Sequence, residues 1–335
     1  MTHDANEVRA IIRVMNRFYI TGHTNPDGDS IGSCFGLGLA LEKMGKEVRV
    51  LLEPFHPKYN VIPGTHLIYD GDSHYDDAVL ICVDCADLGR IKGVARELVD
   101  TLKHTVCIDH HYSNTHFAEY NFVDATASST CEMVYRVIGT LVELDKDIAS
   151  ALYAGMISDT GGFRHAATSQ DTLRAASQLT ALGIPFSDIY RELVHLRTYT
   201  ELKILARVLD TCSRTEDAQV VHACVPQSMM VGLEGTPDAT TQDLEGVVEF
   251  LLNIRRAKVS LLVYERGNGE VKVSLRSRTI NVGAIAQYFG GGGHQLAAGA
   301  TLKGDVYEVR DKVLPMIQDA INQSNKEKSQ ESVRT

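Results

Sequence analysis

Three short apolar runs in this chain are each followed closely by acidic residues or histidines. Apolar runs of this length that alternate with helical stretches predict a parallel β-sheet covered by helices. Ligands bind beyond the carboxyl ends of the strands in such sheets, so we expect the polar residues after the three runs to converge at one edge. The runs are 17–21, 79–83 and 105–108, and the polar residues that follow them are His23, Asp27, Asp29, Asp84, Asp109, His110 and His111.

Length and composition limit the kind of protein. The 335 residues suffice for two ordinary domains, and 44% apolar with 23% charged residues is a globular composition. The sequence holds no apolar stretch near the roughly 18 residues that a membrane span needs, and no basic region followed by an apolar one at the N-terminus. We therefore expect a soluble, cytoplasmic protein with no membrane partner. The seven cysteines, odd in number and set in apolar or helical stretches, favour a reducing compartment.

The net charge of −10 opposes a large, sequence-independent contact with nucleic acid, which needs many Lys and Arg side chains against phosphates. An acidic protein still binds short anionic ligands where positive charge is concentrated locally. We therefore expect no long nucleic acid as a partner, while the sequence leaves a homodimer open.

The alternation of strands and helices predicts an α/β domain at 1–186, with helices on both faces of its sheet. Its helix at 30–44 contains Gly32, Gly36 and Gly38, which would allow close packing against a neighbour. A strongly helical stretch at 187–210 is predicted to connect this domain to a smaller α/β domain. The remaining predictions are a strand at 219–225, a helix at 241–255, a hairpin of 258–264 and 270–275, a second domain covering 211–323, and a disordered polar tail at 324–335.

The candidate ligands have a composition typical of a two-metal centre. Four carboxylates at one edge of a sheet would repel one another strongly unless divalent cations neutralised them. Carboxylate and imidazole ligands without thiolate suit Mn²⁺, with Mg²⁺, Co²⁺ or Fe²⁺ as substitutes, and disfavour structural zinc. Two such ions about 3.5 to 4 Å apart clamp the attacking and leaving oxygens of a phosphoryl displacement, so the set predicts metal-assisted phosphoester hydrolysis. The candidate ligands are His23, Asp27, Asp29, Asp84, His110 and Asp159.

Simpler interpretations fit some of these residues one at a time. A single aspartate after a strand, such as Asp84, is more often a helix N-cap than a ligand, and the same holds for Asp27 and Asp109. Helix capping does not explain histidines at the same edge, so it fails for the set. Cys82 and Cys85 form a C-x-x-C pair without a second pair, which disfavours a thiolate metal site.

Taken in order, these segments resemble the four motifs of the DHH phosphoesterase superfamily. The motifs are the segment 23–30, the pair Val83-Asp84, the triplet Asp109-His110-His111 and the segment 158–161. Residues 274–277 and 290–299 resemble the associated C-terminal substrate-binding domain. The resemblance covers nearly the whole chain. In length and in the lack of extra domains, the chain is most similar to the stand-alone branch of nanoRNases and 3′-phosphoadenosine-5′-phosphate phosphatases.

The resemblance implies a role for each matching position. Asp84 would bridge two Mn²⁺ ions, His111 would lie beside the scissile phosphate and donate a hydrogen bond to it, and Asp109 would fix a histidine tautomer. The other ligands would be divided between the ions, with His23 and Asp27 on one and Asp29, His110 and Asp159 on the other.

In the second domain the resemblance implies a site for the substrate's other phosphate or nucleotide. The backbone amides of Gly291, Gly292 and Gly293 would approach an anion closely because glycine has no side chain. His294, Arg276 and Ser277 would contribute side chains. Arg278 is an alternative to Arg276, because residues two apart in a strand point to the same face. Read alone, the glycine run also fits a flexible turn.

The leading functional prediction is hydrolysis of 5′-phosphorylated oligoribonucleotides of roughly two to five nucleotides, together with removal of the 3′-phosphate from 3′-phosphoadenosine 5′-phosphate. The main alternative is a cyclic-dinucleotide or linear-dinucleotide phosphodiesterase in second-messenger turnover. An inorganic pyrophosphatase and a RecJ-like single-strand exonuclease are minor alternatives. A catalytically silent nucleotide-binding module is disfavoured, because a binder would not need the full set of metal ligands.

Overall fold

The computed structural model describes residues 3–69, 71 and 75–334, with side chains as far as residue 326. The chain divides into two compact units, Met1–Leu196 and Arg197–Thr335. The boundary falls inside the helical connector predicted at 187–210.

The first unit is built on a five-stranded, fully parallel sheet in the order β2-β1-β3-β4-β5, which confirms the predicted parallel sheet. The central strand β3 is buried along its whole length, as expected of a strand covered on both faces. The strand order reverses between β1 and β3, and this reversal leaves a crevice at their carboxyl ends. The strands are β1 Arg17–Thr21, β2 Glu47–Leu51, β3 Val79–Val83, β4 His104–Asp109 and β5 Tyr120–Val123.

Helices cover both faces of this sheet, as predicted. Side chains such as Phe18 and Ile81 form a core with most of the helices on one face, and Leu80 packs with the helix Gly93–Thr101 on the other. Several helices begin after an N-cap residue whose side chain accepts hydrogen bonds from amides of the first turn. Ser129 and Asp145 are two of these N-cap residues. The helices are α1 Ala5–Val14, α2 Gly28–Lys43, α3 Gly93–Thr101, α4 Thr130–Ile138, α5 Lys146–Asp159, α6 Gln170–Thr180 and α7 Phe186–Tyr190.

Helices α2 and α5 pack closely because α2 presents glycines to α5. A Cβ at Gly32 would lie 2.6 Å from the carbonyl oxygen of Ala151, and a Cβ at Gly36 would lie 2.6 Å from Cδ2 of Leu152. The expected close helix packing is therefore confirmed at these two glycines. Gly38 faces the other way, where a Cβ would lie 2.8 Å from Leu67.

The second unit contains a mixed six-stranded sheet in the order β10-β11-β9-β8-β7-β6, in which β7 and β8 are parallel and the other pairs antiparallel. The predicted hairpin is confirmed as β8 and β9. Its turn residues Asn268 and Gly269 both have positive φ, as a two-residue hairpin turn requires. The strands are β6 Ser213–Arg214, β7 Val220–Val225, β8 Val259–Gly267, β9 Glu270–Ser277, β10 Gly292–Gly293 and β11 Ala297–Lys303.

Helices also cover both faces of the second sheet. Ile285 and Val309 belong to the core on one face, and Ile204 and Val247 belong to the core on the other. None of the helices in the described part of the chain is both long and apolar enough to cross a membrane. The helices are α8 Tyr199–Thr211, α9 Gln227–Met230, α10 Val247–Leu252, α11 Val282–Tyr288 and α12 Val306–Arg334.

Two segments differ from the sequence prediction. The helix expected at 241–255 is divided into a 3₁₀ turn and α10, because Gly246 between them has a φ of 80°. The helical connector is interrupted at Leu196, which has an extended backbone after a π-helical turn. Helix α12 continues to Arg334, and the disorder predicted for 324–335 stays a prediction. Thr335 lies outside the described residues.

We predict that Gly32→Ala destabilises the first unit by about 2 kcal/mol, because the new methyl group meets backbone atoms that do not yield. Gly36→Ala is the matched control, since its methyl group meets the Leu152 side chain, which has room to change rotamer. Urea unfolding followed by circular dichroism measures both. An equal loss of stability in the two variants would contradict this account of the α2 and α5 contact.

Candidate metal centre

The loop after β1 places His23 and Asp27 at the N-terminus of α2. Asp27 is the helix N-cap, and its Oδ1 accepts hydrogen bonds of 3.1 Å from the amides of Asp29 and Ser30. Its Oδ2 lies 3.6 Å from Nε2 of His23. Both interpretations of Asp27 are therefore compatible, because one oxygen caps the helix and the other faces the histidine.

Asp84 occupies the centre of the site. Its backbone has a φ of 57°, in the left-handed region, and its amide donates to the carbonyl of Ile108 at 3.0 Å. This conformation turns a buried carboxylate toward two histidines, with Oδ2 lying 3.4 Å from Nε2 of His23 and Oδ1 lying 3.7 Å from Nε2 of His110. Each carboxylate oxygen thus faces a different imidazole.

Asp29 and Asp159 lie on the His110 side. Asp29 accepts hydrogen bonds from the amides of Thr130 at 2.6 Å and Cys131 at 2.9 Å, in the first turn of α4, where helix amides favour a negative charge. Asp159 ends α5 and places its Oδ2 3.5 Å from Nε2 of His110. The same nitrogen lies 3.9 Å from Oδ2 of Asp29.

The two histidines are oriented as metal ligands usually are. Nδ1 of His23 lies 2.8 Å from the carbonyl oxygen of Thr24, and Nδ1 of His110 lies 3.3 Å from that of Ala127. A proton on each Nδ1 satisfies these contacts and leaves Nε2 toward the carboxylates. Backbone carbonyls commonly fix the tautomer of ligating histidines in this way.

The pKa values of the aspartates and histidines in this site are shifted by the high density of negative charge around them. Burial and the neighbouring Asp84 carboxylate raise the pKa of Asp29 to about 7, and burial raises that of Asp159 well above its ordinary value. Burial alone would lower the pKa of His23 and of His110. The surrounding carboxylates instead raise these pKa values to about 10 and about 9. Positive charge placed among these side chains would stabilise the site.

The donor set fits divalent cations. Three groups of three described residues that bring one ligand atom each close together contain Asp84; one of them is Asp84 with Asp109 and His111, and the other two combine carboxylates with His23 or His110. Oxygen and imidazole ligands of this kind suit Mn²⁺, Mg²⁺ or Co²⁺. These other two groups are His23, Asp27 and Asp84, and Asp29, Asp84 and His110, with Asp159 next to His110.

Asp109 supports His111 beside this centre. Nδ1 of His111 donates to Oδ1 of Asp109 at 2.7 Å, and Nδ2 of Asn114 donates to Oδ2 of Asp109 at 2.6 Å. Asp109 is fully buried, and His111 is 3.6 Å from Oδ1 of Asp84. Burial would raise the pKa of Asp109, but the bond from His111 leads the interactions that lower it. Sequence reasoning missed Asn114, because no sequence motif marks it as a hydrogen-bond donor to Asp109.

Neighbouring strands bring the predicted substrate residues of the second unit near one another. Arg276 in β9 pairs with Ala297 in β11, and the amide of His294 donates to the carbonyl of Ala297 at 2.7 Å. Glu249, which sequence reasoning missed, accepts from Nε of Arg276 at 2.6 Å. Arg278 lies beyond the strand and donates to the carbonyl of Leu252 at 2.8 Å.

Ser277 is buried, and its hydroxyl accepts hydrogen bonds from the amides of Thr279 and Ile280 at 3.0 and 2.9 Å. These bonds give the side chain a local role in the turn after β9. The contact with substrate that the resemblance implies for Ser277 stays a prediction.

Close packing gives the glycine run a structural role, and the phosphate contact that the resemblance implies stays a prediction. The amide of Gly291 donates to the carbonyl of Ala286 at 2.9 Å, so it is already engaged. A Cβ at Gly291 would lie 2.7 Å from Cα of Ala300, and a Cβ at Gly293 would lie 2.5 Å from the carbonyl oxygen of Ala297. Glycine is thus required for close approach of β11. Gly292 is exposed, with no atom near a Cβ position.

Comparison with known proteins agrees with this fold. The family model described as "DHH family, N-terminal domain" matches residues 17–156, and the model of the DHHA1 domain matches residues 217–324. A Thermus thermophilus protein named bifunctional oligoribonuclease and PAP phosphatase NrnA is 32% identical, over 91% of this chain and 90% of its own length.

Two further proteins are similar over most of the chain. The crystal structure of an exopolyphosphatase-related protein from Bacteroides fragilis has a TM-score of 0.83 and 25% identity, and covers 95% of both chains. The Bacillus subtilis cyclic-di-AMP phosphodiesterase GdpP is 24% identical over 90% of this chain and 47% of its own length. Fold, site and similarity together define a two-domain DHH protein. The chain belongs to the DHH superfamily, in its NrnA-like branch.

We predict that Asp109→Asn changes the tautomer of His111, because an amide in place of the carboxylate no longer holds a proton on Nδ1. The ring ¹⁵N chemical shifts of His111 report the tautomer directly, and kcat should fall about 10- to 100-fold. Asp100→Asn, at an exposed carboxylate of α3, is the control. Unchanged ¹⁵N shifts in Asp109→Asn would contradict the proposed support of His111.

Proposed function

We propose that this protein is a Mn²⁺-dependent phosphoesterase with two substrate classes. It hydrolyses 5′-phosphorylated oligoribonucleotides of roughly two to five nucleotides to mononucleotides, and it removes the 3′-phosphate of 3′-phosphoadenosine 5′-phosphate. The observation that carries the proposal is the position of Asp84, whose two oxygens face His23 and His110 in two separate ligand groups.

We assign the ligands to two ions. His23 and Asp27 would hold one ion, Asp29, His110 and Asp159 would hold the other, and Asp84 would contribute a ligand to both. Divalent cations at this centre would polarise a phosphoryl oxygen and lower the pKa of a water nucleophile, with Mg²⁺ or Co²⁺ as substitutes for Mn²⁺.

His111 acts on the phosphate itself. Its Nδ1 proton is committed to Asp109, so His111 donates to a phosphoryl oxygen from Nε2 as the doubly protonated imidazolium, whose positive charge the Asp109 carboxylate balances. The reaction places additional negative charge on that oxygen, and a positioned donor stabilises the charge without reorganisation. Asp109 and Asn114 keep the ring in place.

The second unit holds the part of the substrate that does not react. Arg276 presents a guanidinium that Glu249 already orients through Nε, and a guanidinium pairs well with phosphate oxygens. His294 lies in the connection between β10 and β11. Gly292 is the glycine of the run whose surface is open, and we assign any backbone contact with the phosphate to this position.

The names of two relatives support the choice of substrates. The Thermus thermophilus relative is named for oligoribonuclease and PAP phosphatase activity, and it matches this chain over 90% of its length. The similarity to GdpP supports a second candidate, hydrolysis of cyclic or linear dinucleotides. This chain matches only 47% of GdpP, so this candidate ranks below the first.

We predict that Asp84→Asn lowers turnover below about 1% of the wild-type rate, because both ions lose a shared anionic ligand. Initial rates in Mn²⁺ are measured on a 5′-phosphorylated diribonucleotide, a 20-nucleotide RNA, 3′-phosphoadenosine 5′-phosphate and a cyclic dinucleotide. Asp77→Asn, at an exposed carboxylate, is the control and should keep full activity.

The wild-type protein should cleave the diribonucleotide and the bisphosphate and act little on the other two substrates. A preference for the cyclic dinucleotide would favour the second candidate. Near-native rates in Asp84→Asn would refute the two-metal assignment.

We also predict that Arg276→Lys raises KM for the diribonucleotide about 10-fold with little change in kcat, because lysine cannot replace the planar fork of arginine. Arg278→Lys is the matched control, since Arg278 is directed to the Leu252 carbonyl. Steady-state kinetics on the diribonucleotide give kcat and KM for both variants. A larger rise in KM in Arg278→Lys would assign the phosphate contact to Arg278.

A further inference from the structure

Arg90 lies beside the metal centre, in a segment that sequence reasoning did not single out. It ends the 3₁₀ turn Leu88–Arg90, six residues after Asp84. Its carbonyl oxygen accepts a hydrogen bond of 2.8 Å from the amide of Thr24, the residue that follows His23. This bond holds the loop after β3 against the loop after β1, at the reversal of strand order.

The backbone of this turn is well supported. Oδ1 of Asp87 accepts from the amide of Gly89 at 2.7 Å, and the amide of Arg90 donates to the carbonyl of Asp87 at 3.2 Å. These bonds use side-chain atoms of Asp87 and backbone atoms only. Substitution of the Arg90 side chain therefore leaves the turn and its bond to Thr24 in place.

The bond between Arg90 and Thr24 places Arg90 near the ligand Asp27, and the positive charge of its guanidinium acts on that carboxylate. Burial would raise the pKa of Asp27, but His23, a backbone amide and the Arg90 guanidinium together lower it. Arg90 is half-buried, and no hydrogen bond or ion pair of its guanidinium is found among the described residues. Several other arginines do pair with carboxylates: Arg17, Arg96, Arg136, Arg174 and Arg191.

A guanidinium that is held near a cluster of carboxylates without joining it has a specific consequence. When divalent cations neutralise the carboxylates, the charge of Arg90 becomes available to a further anion at the same edge of the sheet. Guanidinium groups match phosphate in geometry and remain charged at all relevant pH values. The anion that this site must accept is the phosphate that is cleaved.

We propose that Arg90 donates to a non-bridging oxygen of the scissile phosphate, on the side of His23 and Asp27, and is a catalytic residue. His111 would act on the opposite side, next to Asp109. The inference rests on the proposed function, because it takes a phosphoester as the substrate. A donor of this kind, aimed at charge that develops during the reaction, typically contributes about 10²- to 10³-fold to kcat.

Phosphate binding tests the proposal without turnover. Binding of radiolabelled inorganic phosphate to Mn²⁺-loaded protein is measured by equilibrium dialysis, with bound manganese measured in the same samples. Arg90→Gln should bind phosphate about 10-fold more weakly at unchanged manganese content. Arg96→Gln is the matched control, because Arg96 lies nearby in α3 and pairs with Asp100, and it should bind as wild type does.

Turnover supplies the second readout. On 3′-phosphoadenosine 5′-phosphate, Arg90→Gln should lower kcat about 10²-fold or more, and Arg90→Lys should restore part of it because a positive charge returns. Arg96→Gln should leave kcat unchanged. Partial rescue by lysine distinguishes a charge that acts on the phosphate from a side chain that only packs.

The outcomes separate this proposal from the proposed function. Phosphate binding that depends on Arg90 in a protein that hydrolyses none of the substrates would support the Arg90 site and refute the proposed function. Wild-type phosphate binding and kcat in Arg90→Gln would overturn the Arg90 assignment alone. A loss of manganese in Arg90→Gln, with phosphate binding per manganese unchanged, would also overturn it.

Discussion

The repulsion among four aspartates, Asp84 and the nearby Asp27, Asp29 and Asp159, is the constraint on which the rest of the first unit depends. Asp84 is buried in a left-handed backbone conformation, and each of its oxygens faces a histidine. Such an arrangement is unfavourable without compensating positive charge, as the raised pKa of Asp29 records. The scaffold holds these charges together at the carboxyl ends of parallel strands. Divalent cations are the compensation that this set of oxygen and imidazole donors fits best.

Close packing of α2 against α5 sets the spacing of the ligands. Asp29 lies in the first turn of α2 and Asp159 at the end of α5, so the distance between these helices determines how near the two carboxylates come to His110. Gly32 makes that distance short. The first turn of α4 then supplies amides to Asp29. Helix packing and the positions of the metal ligands are therefore coupled through a few small residues. A substitution that separates α2 from α5 would also displace Asp29 or Asp159.

The sequence predicted the parallel sheet and the convergence of its polar residues because strand ends in α/β folds obey a topological rule. Residues that act through other side chains were not predictable in this way. Asn114 and Glu249 reach Asp109 and Arg276 through contacts that no spacing encodes. The close approach of β11, which requires glycine at Gly291, depends on strand pairing rather than on local pattern.

We expect two cations to flank Asp84. Anomalous diffraction at the manganese absorption edge, from crystals of the Mn²⁺-loaded protein, locates them. We predict two peaks, one next to His23 and Asp27 and the other next to Asp29, His110 and Asp159, each in contact with an oxygen of Asp84. A single peak, or peaks away from Asp84, would contradict this prediction.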